Sequence, residues 1–258
     1  MKEKLNLSSI LLLILSFEIS YQKFESLLFD SLKDYQTFEK YWNYLYRKGS
    51  DHNGSARMVG NSTDHSHIYL ENKVIVLKAT RINKNVGNSN LYPFLPIHYY
   101  SGAIHSKLQI KVNEQYPEYE IKGQFKAPTQ PGTWPAFWLT GAETWPPEID
   151  ILEFKGNKVN WFNTFRSEHD IQTYKLALDN DWHEYRIYMK KVSKTDVDIY
   201  FSVDGKTKAK HTGNFVDKPF FIIMNLQMEG GSQGTPPKEA YFYGRSIYVG
   251  RENKANTS

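Results

Sequence analysis

The sequence predicts an all-β protein built as a β-sandwich. Short apolar runs rich in β-branched and aromatic residues recur from residue 74 onward, and turn residues separate them. Almost no segment has the 3.6-residue apolar period of a helix, and aromatic residues make up 15% of the chain. The predicted strands span residues 74–79, 101–112, 119–126, 134–139, 148–154, 161–165, 185–189, 197–203, 220–226 and 241–249. Because one face of an antiparallel sheet can cover the core while the other meets a ligand, we expect the functional site on a sheet face.

The N-terminus has the pattern of a secretory signal. Lys2 and Lys4 precede the apolar run 10–17, which is too short to cross a membrane. We predict a signal peptide at residues 1–20 that is removed near Ser20, and a secreted or periplasmic protein with no membrane contact afterwards. No repeat or Pro/Ser/Gly-rich linker divides the remainder, so residues 21–258 are predicted to form a single domain.

Charge and cysteine content exclude several classes of function. The net charge is +4 and no run of five or more Lys or Arg occurs, which argues against a nucleic-acid-binding protein. The chain has no cysteine, so it can form neither a disulfide nor a thiolate metal site. We expect a monomer.

The first hundred residues carry weaker signals. Residues 24–47 are predicted to be irregular or weakly helical, and residues 49–67 a polar loop. His52, His65 and His67 all fall in that loop. A metal site is one interpretation of three histidines so close in sequence, and solvated loop histidines are the other.

The predicted strand 134–139 has one face suited to sugar. Trp134, Ala136 and Trp138 share a face by alternation, and Phe137 and Leu139 on the opposite face are predicted to be core. Trp145 follows shortly after. Flat indoles pack well on the apolar C–H faces of sugar rings, so the three tryptophans are candidates for substrate binding.

The next strand carries three acids in six residues. Glu148 and Asp150 share one face by alternation, whereas Glu153 falls on the other by simple count. One extra residue, a β-bulge around Ile151 and Leu152, would bring Glu153 back to the same face. Like charges so close cannot all stay ionised easily, so at least one carboxyl pKa should rise. A protonated acid beside an ionised one is the requirement of glycoside hydrolysis, while calcium binding and a solvated strand edge are the alternatives.

Polar residues on later strands extend the candidate site. On the strand after the acids, either the face with Asn163 or the face with Arg166 should line a cleft, and Arg166 could pair with an anionic substituent. Asn225 and Gln227 alternate onto one face of a late strand, where their amides suit sugar hydroxyls. His183 could donate to a substrate hydroxyl or to a carboxylate, or be a buried structural histidine.

These motifs together resemble glycoside hydrolase family 16. The resemblance rests on Gly132-Thr133-Trp134-Pro135-Ala136-Phe137-Trp138 followed by Glu148-Ile149-Asp150-Ile151-Leu152-Glu153. Weaker matches at 100–107, 181–185, Asp204-Gly205, which also signals a hairpin, and 225–231 extend it over roughly residues 70 to 250.

The resemblance implies a β-jelly roll of two curved antiparallel sheets with a concave substrate cleft. It makes Glu148 the nucleophile, Glu153 the general acid/base and Asp150 an assisting residue. It implies a retaining mechanism, which needs the two reacting carboxyls about 5–5.5 Å apart. No cofactor is expected, although a structural calcium away from the cleft is known in the family and has no identifiable ligands here.

The predicted function is thus a secreted, endo-acting, retaining β-glycosidase that hydrolyses a β-1,3- or β-1,4-linked polysaccharide of β-glucan or galactan type. A lectin-like jelly roll without catalysis is one alternative, and a transglycosylase on the same fold is another. Laminarinases of the family commonly carry a histidine on the strand after the acids. Here the first histidine is His169, beyond the predicted end of that strand, which favours a substrate other than laminarin.

Overall fold

The computed structural model describes residues 24–256. The predicted signal peptide at residues 1–20 lies outside them. In chain order the elements are β1 Glu25–Leu28, α1 Tyr35–Tyr41, β2 Trp42–Tyr44, β3 Ala56–Met58, β4 Ile68–Glu71, β5 Val74–Arg81, β6 Tyr99–Ser101, β7 Ala103–Ser106, β8 Glu118–Lys126, β9 Thr133–Gly141, β10 Glu148–Glu153, β11 Val159–Ser167, β12 Asp170–Ala177, β13 His183–Lys191, β14 Val197–Val203, β15 Lys206–Gly213, β16 Phe220–Met228 and β17 Glu239–Arg251, followed by a short 3-10 turn at Lys254–Asn256.

The strands form two sheets, as the β-sandwich prediction requires. The smaller sheet has the order β12-β11-β10-β9-β16-β7-β2. The larger sheet has the order β15-β14-β13-β8-β17-β5-β6-β3, with β1 added to β17 and β4 to β5. Apart from the parallel pair β3 and β6, the neighbouring strands in both sheets are antiparallel. β10 therefore lies inside the smaller sheet, with β9 and β11 on its two sides.

The core lies between the two sheets. Phe137 on β9 packs on Phe125 of β8, with 4.5 Å between ring centroids, and Phe125 also contacts Phe242 on β17. Phe137 and Leu139 are fully buried, as the alternation of β9 predicts. The other face of the smaller sheet is turned away from the larger sheet and carries the polar and tryptophan side chains.

Several strands have no counterpart in the sequence prediction. β12 and β15 are edge strands, and neither has the apolar alternation that reveals a strand; most residues of β12 are exposed, and β15 is rich in lysine and threonine. The segment predicted to be irregular or weakly helical forms β1, α1 and β2, so its helical part is confirmed and its two strands were not predicted. α1 begins after Asp34, whose Oδ1 accepts the Thr37 N–H at 2.7 Å. The predicted polar loop 49–67 contains β3, which is held by its pairing with β6 at the end of the larger sheet and not by an apolar pattern of its own.

The predicted hairpin at Asp204-Gly205 is confirmed. Val203 pairs with Lys206, and both turn residues have positive φ, at 50° and 72°. A two-residue turn of this kind matches the twist of the flanking strands and favours Asp-Gly. Among residues 24–256, no helix combines the length and the apolar character needed to span a bilayer.

Candidate active site

A bulge in β10 brings the three acids to one face of the smaller sheet. Asp150 lies opposite Trp138 of β9, and the next pair is Leu152 with Phe137, so Ile151 is the extra residue. Glu153 then pairs with Ala136, on the same face as Trp138. The predicted bulge is confirmed at the predicted place, and it lets Ile151 and Leu152 both be fully buried in the core.

The acids lie in a cleft of about 510 Å³ on the exposed face of the smaller sheet. Side chains of β9, β10 and β16 form its floor, and the segment around residues 46–53 forms one wall. Of the residues predicted from the sequence, the lining includes Trp134, Trp138, Trp145, Glu148, Asp150, Glu153, Asn225 and Gln227. The tertiary structure thus gathers most of the predicted site into one groove.

Glu153 is held by donors on both carboxylate oxygens. Trp134 Nε1 donates to Oε1 at 2.8 Å, and Lys155 Nζ lies 3.3 Å from the same oxygen. Asn163 Nδ2 donates to Oε2 at 2.9 Å. The Glu153 backbone N–H donates to Asn160 Oδ1 at 2.9 Å. Side chain and backbone are both fixed, so the carboxyl has a defined position in the cleft.

Asp150 is the most enclosed of the three acids, with 4% of its surface exposed. Its Oδ2 accepts a hydrogen bond from Asn163 Nδ2 at 2.9 Å, so one amide bridges Asp150 and Glu153. Burial raises the pKa of Asp150 well above its usual value, and the charges of Glu148 and Glu153 raise it further. The predicted rise of a carboxyl pKa is confirmed, and the protonated form of Asp150 is favoured.

Glu148 lies at the mouth of the cleft beside Trp145, whose Nε1 donates to Oε2 at 2.8 Å. Burial raises the pKa of Glu148 to about 7, against the lowering effect of the Trp145 hydrogen bond. The charge of Glu153 raises the pKa and that of Lys155 lowers it. Glu148 therefore changes its charge near neutral pH.

Asn163, on the neighbouring strand β11, donates hydrogen bonds to two of the acids. It lies opposite Asp150 in the pairing of β10 with β11, on the cleft face. Thr173 Oγ1, on the edge strand β12, donates to Asn163 Oδ1 at 2.9 Å. This bond orients the amide so that its nitrogen points toward the two carboxyls. Asn163 is buried beneath the acids, so its contacts are with Asp150 and Glu153 and not with the open cleft.

The three tryptophans differ in their freedom to meet a ligand. Trp145 is 49% exposed and packs against Phe165, with 6.0 Å between ring centroids. Trp138 is 7% exposed, and its Nε1 donates to Asn225 Oδ1 at 2.7 Å. Trp134 is half-buried under Lys155, whose Nζ lies 5.6 Å from the centre of its ring. Trp145 thus has the largest surface available for stacking.

The side-chain amides of Asn225 and Gln227 on β16 both reach the cleft face, as alternation predicts, but they make different hydrogen bonds. Asn225 has its oxygen engaged by Trp138, and its Nδ2 has no partner among residues 24–256. Gln227 is 1% exposed; its Oε1 accepts from the Ala56 N–H at 2.8 Å and its Nε2 donates to Ala56 O at 3.3 Å. Gln227 thus joins β3 to β16, and because it also lines the cleft, its contact with sugar stays a prediction.

Besides the buried Asn163, two predicted binding residues do not line the cleft, and both lie well away from the acids. Arg166 pairs with Asp170 at 2.5 Å in a separate surface hollow. Because Arg166 and Asn163 are three residues apart on one strand, they point to opposite faces, and only Asn163 faces the acids.

His183 lies on β13 of the larger sheet, away from the cleft. It contacts Asp204 at 2.8 Å and Asp179 at 2.7 Å. Burial lowers its pKa, but the two carboxylates outweigh burial and raise it. Its role in the structure is to join the Asp204-Gly205 turn to the segment before β13.

The sequence reasoning missed several cleft residues. Lys155 could have been found, since it follows Glu153 by two positions and alternation returns it to the acid face. Tyr46, Arg47, Lys48 and His52 also line the cleft, but they come from an irregular segment with no periodic signal. Only the path of that segment across the sheet brings them to the site.

The three loop histidines do not form a cluster. His52 packs edge-on against Trp138 in the cleft, His65 stacks on Tyr35, and His67 contacts Tyr100. Within residues 24–256, no group of three or more His, Asp or Glu side chains is arranged to hold a metal ion. The three histidines therefore have separate neighbours and do not form a shared set of ligands.

Comparisons with known proteins agree on one family. The model of glycosyl hydrolases family 16 matches residues 53–243. The galactan endo-β-1,3-galactanase of Flammulina velutipes is 38% identical over 221 residues, which are 84% of this chain and 85% of that protein. The glucan endo-1,3-β-glucosidase A1 of Niallia circulans is 25% identical over 212 residues, 70% of this chain and 29% of that protein. The endo-1,3-β-glucanase structure from Streptomyces sioyaensis shares the fold, with a TM-score of 0.69 at 18% identity, over 90% of this chain and 98% of that one.

Proposed function

The chain belongs to family 16 of the glycosyl hydrolases, and from this premise we propose that it hydrolyses internal β-1,3 linkages of a galactan. It is a glycoside hydrolase, an endo-acting β-glycosidase of β-1,3- or β-1,4-linked polysaccharides, and the family's mechanism is retaining. The observation that carries the choice of galactan is the 38% identity with the Flammulina galactanase over most of both chains.

In the first proposed step, Glu148 is the nucleophile. An oxygen of its ionised carboxylate forms a bond to the anomeric carbon while the bond from that carbon to the glycosidic oxygen breaks. The leaving oxygen takes the proton of Glu153. The transition state resembles an oxocarbenium ion, and its positive charge is stabilised by the carboxylate beside it. A glycosyl-enzyme ester on Glu148 results.

In the second step, Glu153 acts as a base. It takes a proton from a water molecule whose oxygen attacks the anomeric carbon, and the ester bond to Glu148 breaks. The two inversions restore the original β configuration. Glu148 returns as a carboxylate and Glu153 returns protonated, so the site is ready for another turnover.

Asp150 is proposed to limit the negative charge between the two reacting carboxyl groups. Its raised pKa favours the neutral form, which avoids a third negative charge in the enclosed site. The bridging amide of Asn163 fixes Asp150 relative to Glu153, at 2.9 Å to an oxygen of each. These contacts support an assisting role without contact with the scissile bond.

The remaining features of the proposal concern the whole protein. The basic and apolar pattern of residues 1–20 supports secretion after removal of a signal peptide. The cleft and all three acids come from one chain, which supports activity as a monomer. Both the nucleophile and the proton are supplied by side chains, so we propose that catalysis needs no cofactor.

The test is release of reducing ends by the purified protein, from residue 21 onward, on linear β-1,3-galactan, laminarin and barley β-glucan. We expect short galactose oligomers of several lengths from the galactan, because the enzyme cuts internally. Glu148→Gln should lower kcat by roughly 10³-fold or more, since loss of a residue that forms the covalent bond removes several kcal/mol of transition-state stabilisation.

Glu143→Gln is the matched control, because Glu143 is an exposed carboxyl at the rim of the same cleft. It should retain most of the activity. Cleavage of laminarin or barley β-glucan in preference to galactan would contradict the proposed substrate. Longer products than the starting oligomers, formed at high substrate concentration, would instead identify a transglycosylase.

A further inference from the structure

A tight turn at one wall of the cleft carries two cationic side chains. Tyr46 and Gly49 exchange both of their backbone hydrogen bonds, each 3.1 Å long, with Arg47 and Lys48 at the tip of the turn between them. The Tyr46 ring is buried and packs on His52, with 4.9 Å between ring centroids. Because the turn is closed at its base and anchored by a buried ring, it holds both cations at a defined place beside the cleft.

Both cations are free of acidic partners. Arg47 and Lys48 are exposed and line the cleft, and neither forms an ion pair within residues 24–256. The guanidinium of Arg47 lies 5.3 Å from the centre of the Phe221 ring, which supports its position without neutralising its charge. Two unpaired positive charges next to each other at the cleft can bind a negatively charged group of a ligand.

Apart from Glu143, an exposed carboxyl at the rim, the other charged side chains near the cleft are paired within residues 24–256. Arg57 binds both carboxylate oxygens of Asp51, at 2.8 and 2.9 Å, so neither of these two groups competes for a ligand. Lys155 is engaged by Glu153 at 3.3 Å. Burial lowers the pKa of His52, which favours its neutral form. Arg47 and Lys48 are therefore the groups of this wall that can attract an anion.

The position of the turn separates it from the reacting acids. Phe221, which supports Arg47, lies on β16 opposite Thr140 of β9, and β9 lies between β16 and the acidic strand β10. Thr140 also pairs with Glu148, so an anionic group bound at the turn stays two strand spacings, about 10 Å, from the proposed nucleophile.

We propose that Arg47 and Lys48 form a binding site for an anionic substituent, a carboxylate or a sulfate, on a galactan chain lying in the cleft. The planar guanidinium can donate two parallel hydrogen bonds to either group, and the ammonium adds a second charge. This site rests on the proposed galactan substrate, and it selects acidic galactans over neutral ones.

The test compares matched pairs of polymers. One pair is a β-1,3-galactan bearing uronic acid residues and the same polymer after carboxyl reduction, and the other is a sulfated galactan and its desulfated form. We expect kcat/KM at low ionic strength to be about 5- to 10-fold higher for the charged member of a pair, as two partly exposed charge contacts can supply. The pair that shows the preference identifies the anion.

Arg47→Gln/Lys48→Gln should bring this ratio close to 1, and added salt should reduce it in the natural protein. Lys194→Gln/Lys206→Gln is the control and should keep the ratio. It removes two exposed lysines, one in the turn between β13 and β14 and one on the edge strand β15, that form no ion pair within residues 24–256. A ratio near 1 in the natural protein, or a ratio that survives in the Arg47/Lys48 variant, overturns the proposal.

Failure of the proposed substrate gives a different result. If no galactan is cleaved, binding of the four polymers to Glu148→Gln is measured instead, with and without the Arg47 and Lys48 substitutions. Tighter binding of the charged polymers that depends on these two residues still supports the anion site. Equal binding of charged and neutral polymers overturns it.

Discussion

The surroundings of the Glu148 carboxyl set the pH range in which the proposed enzyme is active. Burial raises its pKa to about 7, whereas the N–H of Trp145 stabilises its ionised form and holds the pKa down. The proposed nucleophile must be ionised, so the active fraction grows as pH rises through that pKa. The acid limb of kcat/KM should thus lie at a pH of about 7, with activity lost below it.

Replacing Trp145 with phenylalanine tests this electrostatic link. The change keeps an aromatic ring at the cleft mouth but removes the donor to Glu148, so the Glu148 pKa should rise further and the acid limb of kcat/KM should move to higher pH. The measurement is the pH profile of kcat/KM on a soluble substrate.

Trp182→Phe provides the control. Trp182 lies on the larger sheet's side of the molecule, and the Arg245 guanidinium is 4.1 Å from the centre of the Trp182 ring. Replacing Trp182 should therefore leave the acid limb of kcat/KM at its original pH. If Trp145→Phe changes KM but leaves the acid limb at its original pH, the hydrogen bond does not set the ionisation of Glu148.

At the scale of elements, three neighbouring strands act together on the acids. The edge strand β12 orients Asn163 of β11 through Thr173, and Asn163 donates to two acids of β10. The bulge at Ile151 puts those acids on one face. The bulge could be predicted because three acids in the pattern E-x-D-x-x-E share a face only if one residue is extra. The contribution of β12 could not be predicted, because Thr173 lies in an exposed strand that has no apolar alternation.

Thr173→Val should lower kcat by about 5- to 10-fold. Valine has nearly the same shape but no hydroxyl, so the Asn163 amide loses the hydrogen bond that orients it, which is worth about 1 kcal/mol. Thr173→Ser keeps the hydroxyl and should restore activity. Equal kcat values for the valine and serine variants would show that this hydrogen bond does not position the amide.

At the scale of the whole molecule, the packing between the sheets supports the floor of the cleft. Phe137 is fully buried against Phe125 of the larger sheet, and its neighbours Ala136 and Trp138 face the cleft. The same strand therefore holds the two sheets together and presents the binding surface. A loss of packing on the core face of β9 should therefore also disturb the residues on its cleft face.

Phe137→Ala should lower the free energy of unfolding by about 3–5 kcal/mol, because it leaves a cavity between the sheets. Phe29→Ala is the comparison, since Phe29 is 69% exposed and its loss should change stability by less than about 0.5 kcal/mol. Urea unfolding followed by tryptophan fluorescence measures both. A small effect of Phe137→Ala would mean that the sheets repack around the missing ring.

The sheet faces of the central strands, the bulge, the acids and the tryptophans could all be predicted from the sequence, because alternation along a strand is a local property. The Asp204-Gly205 turn could be predicted as well, because its positive φ angles depend on the residues in the turn. Other placements could be seen only in the folded chain. Arg166 and His183 lie away from the cleft, and Gln227 joins β3 to β16. Arg47 and Lys48 reach the cleft. Those placements depend on which strands become neighbours and on the path of irregular segments, and contacts between residues far apart in the chain leave no periodic pattern in the sequence.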